Sequence, residues 1–66
     1  MNIVKLEDAI KRSGYKKQYI AEQLGLTANG LTYKLSNKSG FKVKETIRIK
    51  EILELSDAEY FEIFGN

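Results

Sequence analysis

Sixty-six residues carry eleven Lys or Arg against nine Asp or Glu, with no cysteine and no histidine, which excludes a disulfide framework and removes the usual donors of a structural zinc site. A chain of this length buries only about 60% of the surface its unfolded form exposes. One domain over residues 1–66 is expected, stabilised by close helix packing or by oligomerisation. Lys5, Glu7 and Asp8 break up the first apolar residues, so neither a signal peptide nor a membrane span is predicted and a cytoplasmic protein is expected.

In chain order, Asn2 suits the cap of a first helix running to about Ser13, with Leu6, Ala9 and Ile10 on one face and Gly14 as its terminator. Tyr15 and Lys16 lead into a second helix to Leu24, whose Ile20, Ala21 and Leu24 form a buried face. Gly25 and Leu26 turn the chain, and Thr27 caps a third helix. A polar loop from Ser36 to Gly40 precedes Phe41 and a fourth helix from about Glu45 to Glu54, where Ile47, Ile49, Ile52 and Leu53 suit packing on more than one side. Ser56 and Glu59 make a capping box for a fifth helix containing Tyr60, Phe61, Ile63 and Phe64. The expectation is an all-α, compact five-helix bundle.

The segment from Lys17 to Leu35 has a spacing of its own. Ala21 stands four residues before Gly25, and Leu31 six after it. A small residue permits close approach of a second helix, a glycine supplies the left-handed turn, and an aliphatic residue fills the angle between them. That is the pattern of a helix-turn-helix, whose second helix is shaped to enter the major groove of DNA. At about 100° per residue, Leu31 and Leu35 mark its buried side. Asn29 and Tyr33 fall roughly opposite with Thr32 flanking them, and Ala28 stands at the N-terminal end after Thr27, where a helix entering the groove first meets base edges. Asn makes bidentate contacts to adenine, and Thr or Ala places a methyl group against thymine. Tyr33 suits a sugar or phosphate contact.

Charge is uneven along the chain. All eleven bases lie in residues 1–50 with four acids, net +7, whereas residues 51–66 hold five acids and no base, net −5. Lys17 and Gln18, at the start of the second helix, are expected to meet phosphate, as are Lys34, Asn37, Lys38 and Ser39 at and past the end of the third. Lys42 and Lys44 suit the same strand.

Ile20-Ala21-Glu22, Gly25-Leu26-Thr27 and Leu31, together with Lys34-Leu35-Ser36-Asn37, Phe41-Lys42-Val43-Lys44-Glu45, Ile47-Arg48-Ile49 and Leu53-Glu54-Leu55-Ser56, resemble the Cro/repressor type of helix-turn-helix proteins found as phage and prophage regulators. The likeness covers most of residues 5–64. It implies a lambda-repressor-like DNA-binding domain that contacts bases from Ala28, Asn29, Thr32 and Tyr33 and phosphates from Lys17, Gln18 and the loop after the third helix. It also implies stand-alone, Cro-like binding to operator DNA. Many relatives have a buried aliphatic residue in place of Lys34, a small residue in place of Lys50 and a glycine in place of Glu54.

Phe61 and Phe64 are expected to seal the core, and Tyr60 and Ile63, with Phe64, to carry a two-fold dimer. Double-stranded DNA and a second copy are the expected partners, with no membrane, cofactor, metal or small-molecule ligand. An enzyme is not expected, because no nucleophile–base pair, phosphate loop or carboxylate pair stands out. The competing readings are a protein-interaction module of the same shape and a DNA-binding accessory factor such as an excision or antitoxin component.

Overall fold

The computed structural model describes residues 1–36 and 40–65. Five helices follow in order: α1 Ile3–Ser13, α2 Lys17–Gln23, α3 Ala28–Ser36, α4 Val43–Leu53 and α5 Asp57–Phe64, with no strand among the described residues. Asn2 caps α1 as expected, its side-chain oxygen accepting from the Lys5 amide at 3.1 Å. The Thr27 hydroxyl accepts from the Gly30 amide at 2.9 Å. Ser56 and Glu59 exchange their capping bonds at 3.1 Å each.

The α2–α3 turn is a complete Schellman closure. The Gly25 amide donates to the Glu22 carbonyl at 3.1 Å and the Leu26 amide to the Ala21 carbonyl at 2.8 Å, with Gly25 at φ 73°. Glycine takes that backbone region without the penalty a Cβ would impose. The same turn closes α4, where the Glu54 and Leu55 amides donate to the Glu51 and Lys50 carbonyls at 3.3 and 3.0 Å. Here a glutamate sits at φ 53°, the position at which the resemblance has glycine.

Leu6, Ala9 and Ile10 of α1, Ile20 and Ala21 of α2, Leu31 and Leu35 of α3, Ile49 of α4, Leu55, and Ile63 of α5 form one core. α1 packs on α4 and α5, and α2 packs on α3 and α4. The helix-turn-helix thus sits on a frame of three other helices. An Asn2 amide bond to the Ile63 carbonyl at 2.7 Å ties the start of α1 to α5.

Three expectations need correction. α4 begins at Val43 rather than Glu45, because the Glu45 carboxylate accepts from the Lys42 amide at 2.8 Å and so stands in the third helical position, not the first. α4 is packed on one side: Ile49 is buried, but Ile47 is 49% exposed. In α5 the roles of two apolar residues are exchanged. Ile63 is 2% exposed, inside its own chain's core, whereas Phe61 is 69% exposed.

Candidate nucleic-acid interface

α3 presents the four expected residues together. Ala28, Asn29, Thr32 and Tyr33 are all exposed, Ala28 at the head of the helix and Asn29 and Tyr33 opposite Leu31 and Leu35, which are 1% and 4% exposed. The Thr32 hydroxyl donates to the Ala28 carbonyl at 3.0 Å, leaving its oxygen lone pairs and methyl group to a ligand. The Asn29 side chain bonds no other group among the described residues, so its amide is free to donate and accept. The Thr27 hydroxyl is occupied by the Gly30 amide, which makes it a helix cap first. Gly30 is explained by the same bond: a Cβ there would stand 3.2 Å from the Thr27 hydroxyl and 3.8 Å from the Leu26 Cβ. Its small size protects the cap rather than an approach to α2.

The cations divide into paired and unpaired. Lys5, Arg12, Lys17, Lys34, Arg48 and Lys50 each reach a carboxylate within 3.5 Å. Lys11, Lys16, Lys42 and Lys44 have no ion pair among the described residues. Lys16 immediately precedes α2, Lys42 immediately precedes α4, and Lys44 lies in the first turn of α4. These are positions where the helix dipole disfavours a cation by a few tenths of a kcal/mol or more. Positive charge kept there is available to an anion.

Residues 4–37 match the family described as bacterial regulatory protein, Fis family. The chain belongs to that family. The match runs from α1 through the end of α3, so it is carried by the helix-turn-helix and the helix before it, while α4 and α5 lie outside it. The Fis-family unit is a helix-turn-helix, DNA-binding regulator. Neither the curated proteins nor the solved structures include a match to the chain. No helix among the described residues is long and apolar enough to cross a membrane.

Within this Fis-family unit, two of the residues expected at phosphate are engaged elsewhere. Lys17 pairs with Glu7 of α1 at 3.0 Å, and the neighbouring unpaired cation is Lys16. Lys34 pairs with Glu45 of α4 at 3.1 Å and lies over the Phe41 ring at 5.9 Å. That is how a lysine occupies a position where an aliphatic residue is usual: its stem is covered and its ammonium group finds a carboxylate. Gln18 is exposed. Asn37, Lys38 and Ser39 lie outside the described residues.

Lys50, the second departure, donates to Asp57 at 2.5 Å and sits 5.9 Å above the Tyr60 ring. The interface expected on α5 is largely turned inward. Ile63 is buried, and the Tyr60 hydroxyl bonds the buried Thr46 hydroxyl at 2.7 Å. Phe64, half-buried, meets the Tyr60 ring at a tilt, with centroids 5.3 Å apart.

Sequence reasoning missed two features. Glu45 had a signal, an acid three residues past a helix start, but Lys42 is not a capping residue type and concealed it. Tyr15 and Tyr19, both exposed and with ring centroids 4.8 Å apart, pair across the start of α2, Tyr15 preceding the helix and Tyr19 standing in its first turn.

Proposed function

We propose that this chain is a Cro-like transcriptional repressor that binds double-stranded operator DNA sequence-specifically, with α3 in the major groove. The observation that carries the reading is the outer face of α3. Ala28, Asn29, Thr32 and Tyr33 are exposed together, contain no acid, and are accompanied at the starts of the flanking helices by lysines without an ion pair among the described residues. Asn29 reads a base edge, and the methyl groups of Ala28 and Thr32 contact thymine. Tyr33, 64% exposed, reaches the sugar–phosphate backbone. Lys16, Gln18, Lys42 and Lys44 supply the contacts that do not depend on sequence. Lys38 and Asn37 extend them past α3.

The protein acts as a homodimer at least on DNA. Val43, Ile47 and Phe61 are 74%, 49% and 69% exposed on α4 and α5, and Val43 lines one hollow with Tyr60 and Phe64. A body of 28 × 25 × 20 Å paired about a two-fold axis suits recognition helices about 34 Å apart, one turn of DNA. A strict monomer in sedimentation, free and on DNA, would remove this part of the reading.

The main test is binding to DNA adjacent to the chain's own gene, repeated across salt concentrations. The logarithm of affinity should fall by roughly 0.9 per log unit of salt for each phosphate contact. Asn29→Ala should reduce discrimination between sites by about 1–3 kcal/mol, and Lys16→Ala should weaken all sequences alike. Binding that is absent or indifferent to salt would refute the proposal.

A further inference from the structure

We propose that Lys34 and Glu45 form a strut that sets the orientation of α3 against α4, making Lys34 a positioning residue for the DNA-reading face instead of a phosphate contact. This deepens the DNA reading above and rests on it.

Burial sets this ion pair apart. The Lys34 and Glu45 side chains are 24% and 14% exposed, and every other ion pair among the described residues has both partners at 34% or more. A pair screened from water interacts more strongly than one at the surface, and losing one partner leaves the other poorly solvated.

Glu45 is a fixed receiver. The oxygen that accepts from the Lys34 ammonium at 3.1 Å also accepts from the Lys42 amide at 2.8 Å, so the carboxylate is held in the first turn of α4 whether or not Lys34 is present. On the other side the ammonium lies 5.9 Å from the Phe41 ring centre, and Phe41 meets Phe64 edge-on at 6.5 Å. The ammonium is therefore held between a carboxylate and an aromatic ring that is itself braced by α5.

The location on α3 completes the argument. The head of α3 is fixed by the Thr27 cap and by its packing on α2. Its last turn has Leu35 in the core, and Lys34 is the residue that reaches across to α4. Lys34 directly follows Thr32 and Tyr33 in the chain, so a tilt of this turn displaces two of the four proposed reading residues. A lysine whose charge is matched by a carboxylate adds little to counterion release on DNA.

The test uses Glu45→Gln, Lys34→Met and the double variant, each with two measurements. Without DNA, amide hydrogen exchange reads the strut directly. Glu45→Gln retains an oxygen for the Lys42 amide, and should speed exchange at Leu35 and Ser36 by about tenfold while α1 amides are unchanged. With DNA, the ratio of affinity for the preferred site over a scrambled one should fall several-fold in each variant, with the salt slope unchanged and the double variant no worse than either single one.

A Lys34→Met protein whose salt slope drops by about one phosphate contact overturns the positioning role, and unchanged exchange in both single variants overturns the strut. Should Glu45→Gln fail to fold, Lys34→Met, which installs an apolar side chain at that site, carries the same two measurements. An unaltered protein that ignores DNA refutes the DNA reading and the positioning role together, while the exchange result still decides the strut.

Discussion

The α2–α3 and α4–α5 regions are built alike. In each, a helix ends in a Schellman turn, a leucine follows the left-handed residue, and a hydroxyl side chain caps the next helix: Gly25-Leu26-Thr27 in one, Glu54-Leu55-Ser56 in the other. The difference lies in what the second helix does with its amino terminus. α5 places Asp57 and Glu59 in its first turn and closes a capping box, so its dipole is answered from within the chain. α3 has no acid there, and Gly30 stands where the capping box would need a glutamate. One local design thus yields a neutralised end in α5 and, in α3, an end left electrically open to a ligand.

The largest expected effect separates the residues four positions past each cap. Leu31 is 1% exposed, and Leu31→Ala should cost about 2–5 kcal/mol, much of the stability of so small a domain. Its counterpart Tyr60 is half-buried, and Tyr60→Phe should cost only about 1 kcal/mol through the lost Thr46 bond. Urea unfolding of both variants measures the gap, and equal costs would show that the two regions are not loaded as described.

The turns themselves give the next effect. Gly25→Ala should destabilise by about 1–2 kcal/mol, because a Cβ is disfavoured at that left-handed backbone. Glu54→Gly should do the opposite, by up to about 1 kcal/mol, raising the melting temperature. A Glu54→Gly protein that melts lower would mean that the Glu54 side chain carries an interaction of its own.

Acid should distinguish the two amino termini. The Lys50 ammonium holds the Asp57 carboxyl below its ordinary value of 3.8, and the Ser56 amide and hydroxyl, aided by Arg12, hold Glu59 below 4.5. Burial opposes ionisation of Glu45, but the Lys42 amide and the Lys34 ammonium outweigh it and keep its carboxyl below 4.5 as well. Pairing depresses each folded value, so the stabilisation is complete above the ordinary carboxylate range and is lost as pH falls through the lower folded values. Amide shifts in the first turns of α4 and α5 should therefore respond between about pH 5 and 2, and those at the head of α3 should not.

The smallest effect makes α3 resemble α5. Asn29→Asp should stabilise the isolated domain by about 0.3–1 kcal/mol through the helix dipole while weakening its binding to any DNA sequence. Unchanged binding would argue that the head of α3 does not face phosphate or bases.

Much of this architecture was legible in the residues. The caps at Asn2, Thr27 and Ser56 and the Ala21–Gly25–Leu31 spacing are local chemistry, and the structure has each where it was expected. What could not be read was decided by residues distant in sequence. Lys17 finds Glu7 ten residues away, and Lys34 finds Glu45 eleven away; a count of charges treats all four as free. Phe61 and Ile63 exchanged roles because four apolar residues cover a wide arc of a short helix, and only packing against α1 and α4 selects the side that is buried. Asn29, Thr32 and Tyr33 followed from helical geometry, since Leu31 and Leu35 fixed which way the helix turns, and Ala28 from its place at the head of the helix.

The amide bond from Asn2 to the Ile63 carbonyl has a topological consequence. The first and last helices meet head to tail, so this helical unit is nearly a ring before any covalent closure. A short flexible linker between its ends would span little distance and disturb no helix. It would lower the entropy of the unfolded chain by a loop-closure term that grows only slowly with length. Cyclisation is thus a route to stabilising this cysteine-free domain that leaves the outer face of α3 untouched.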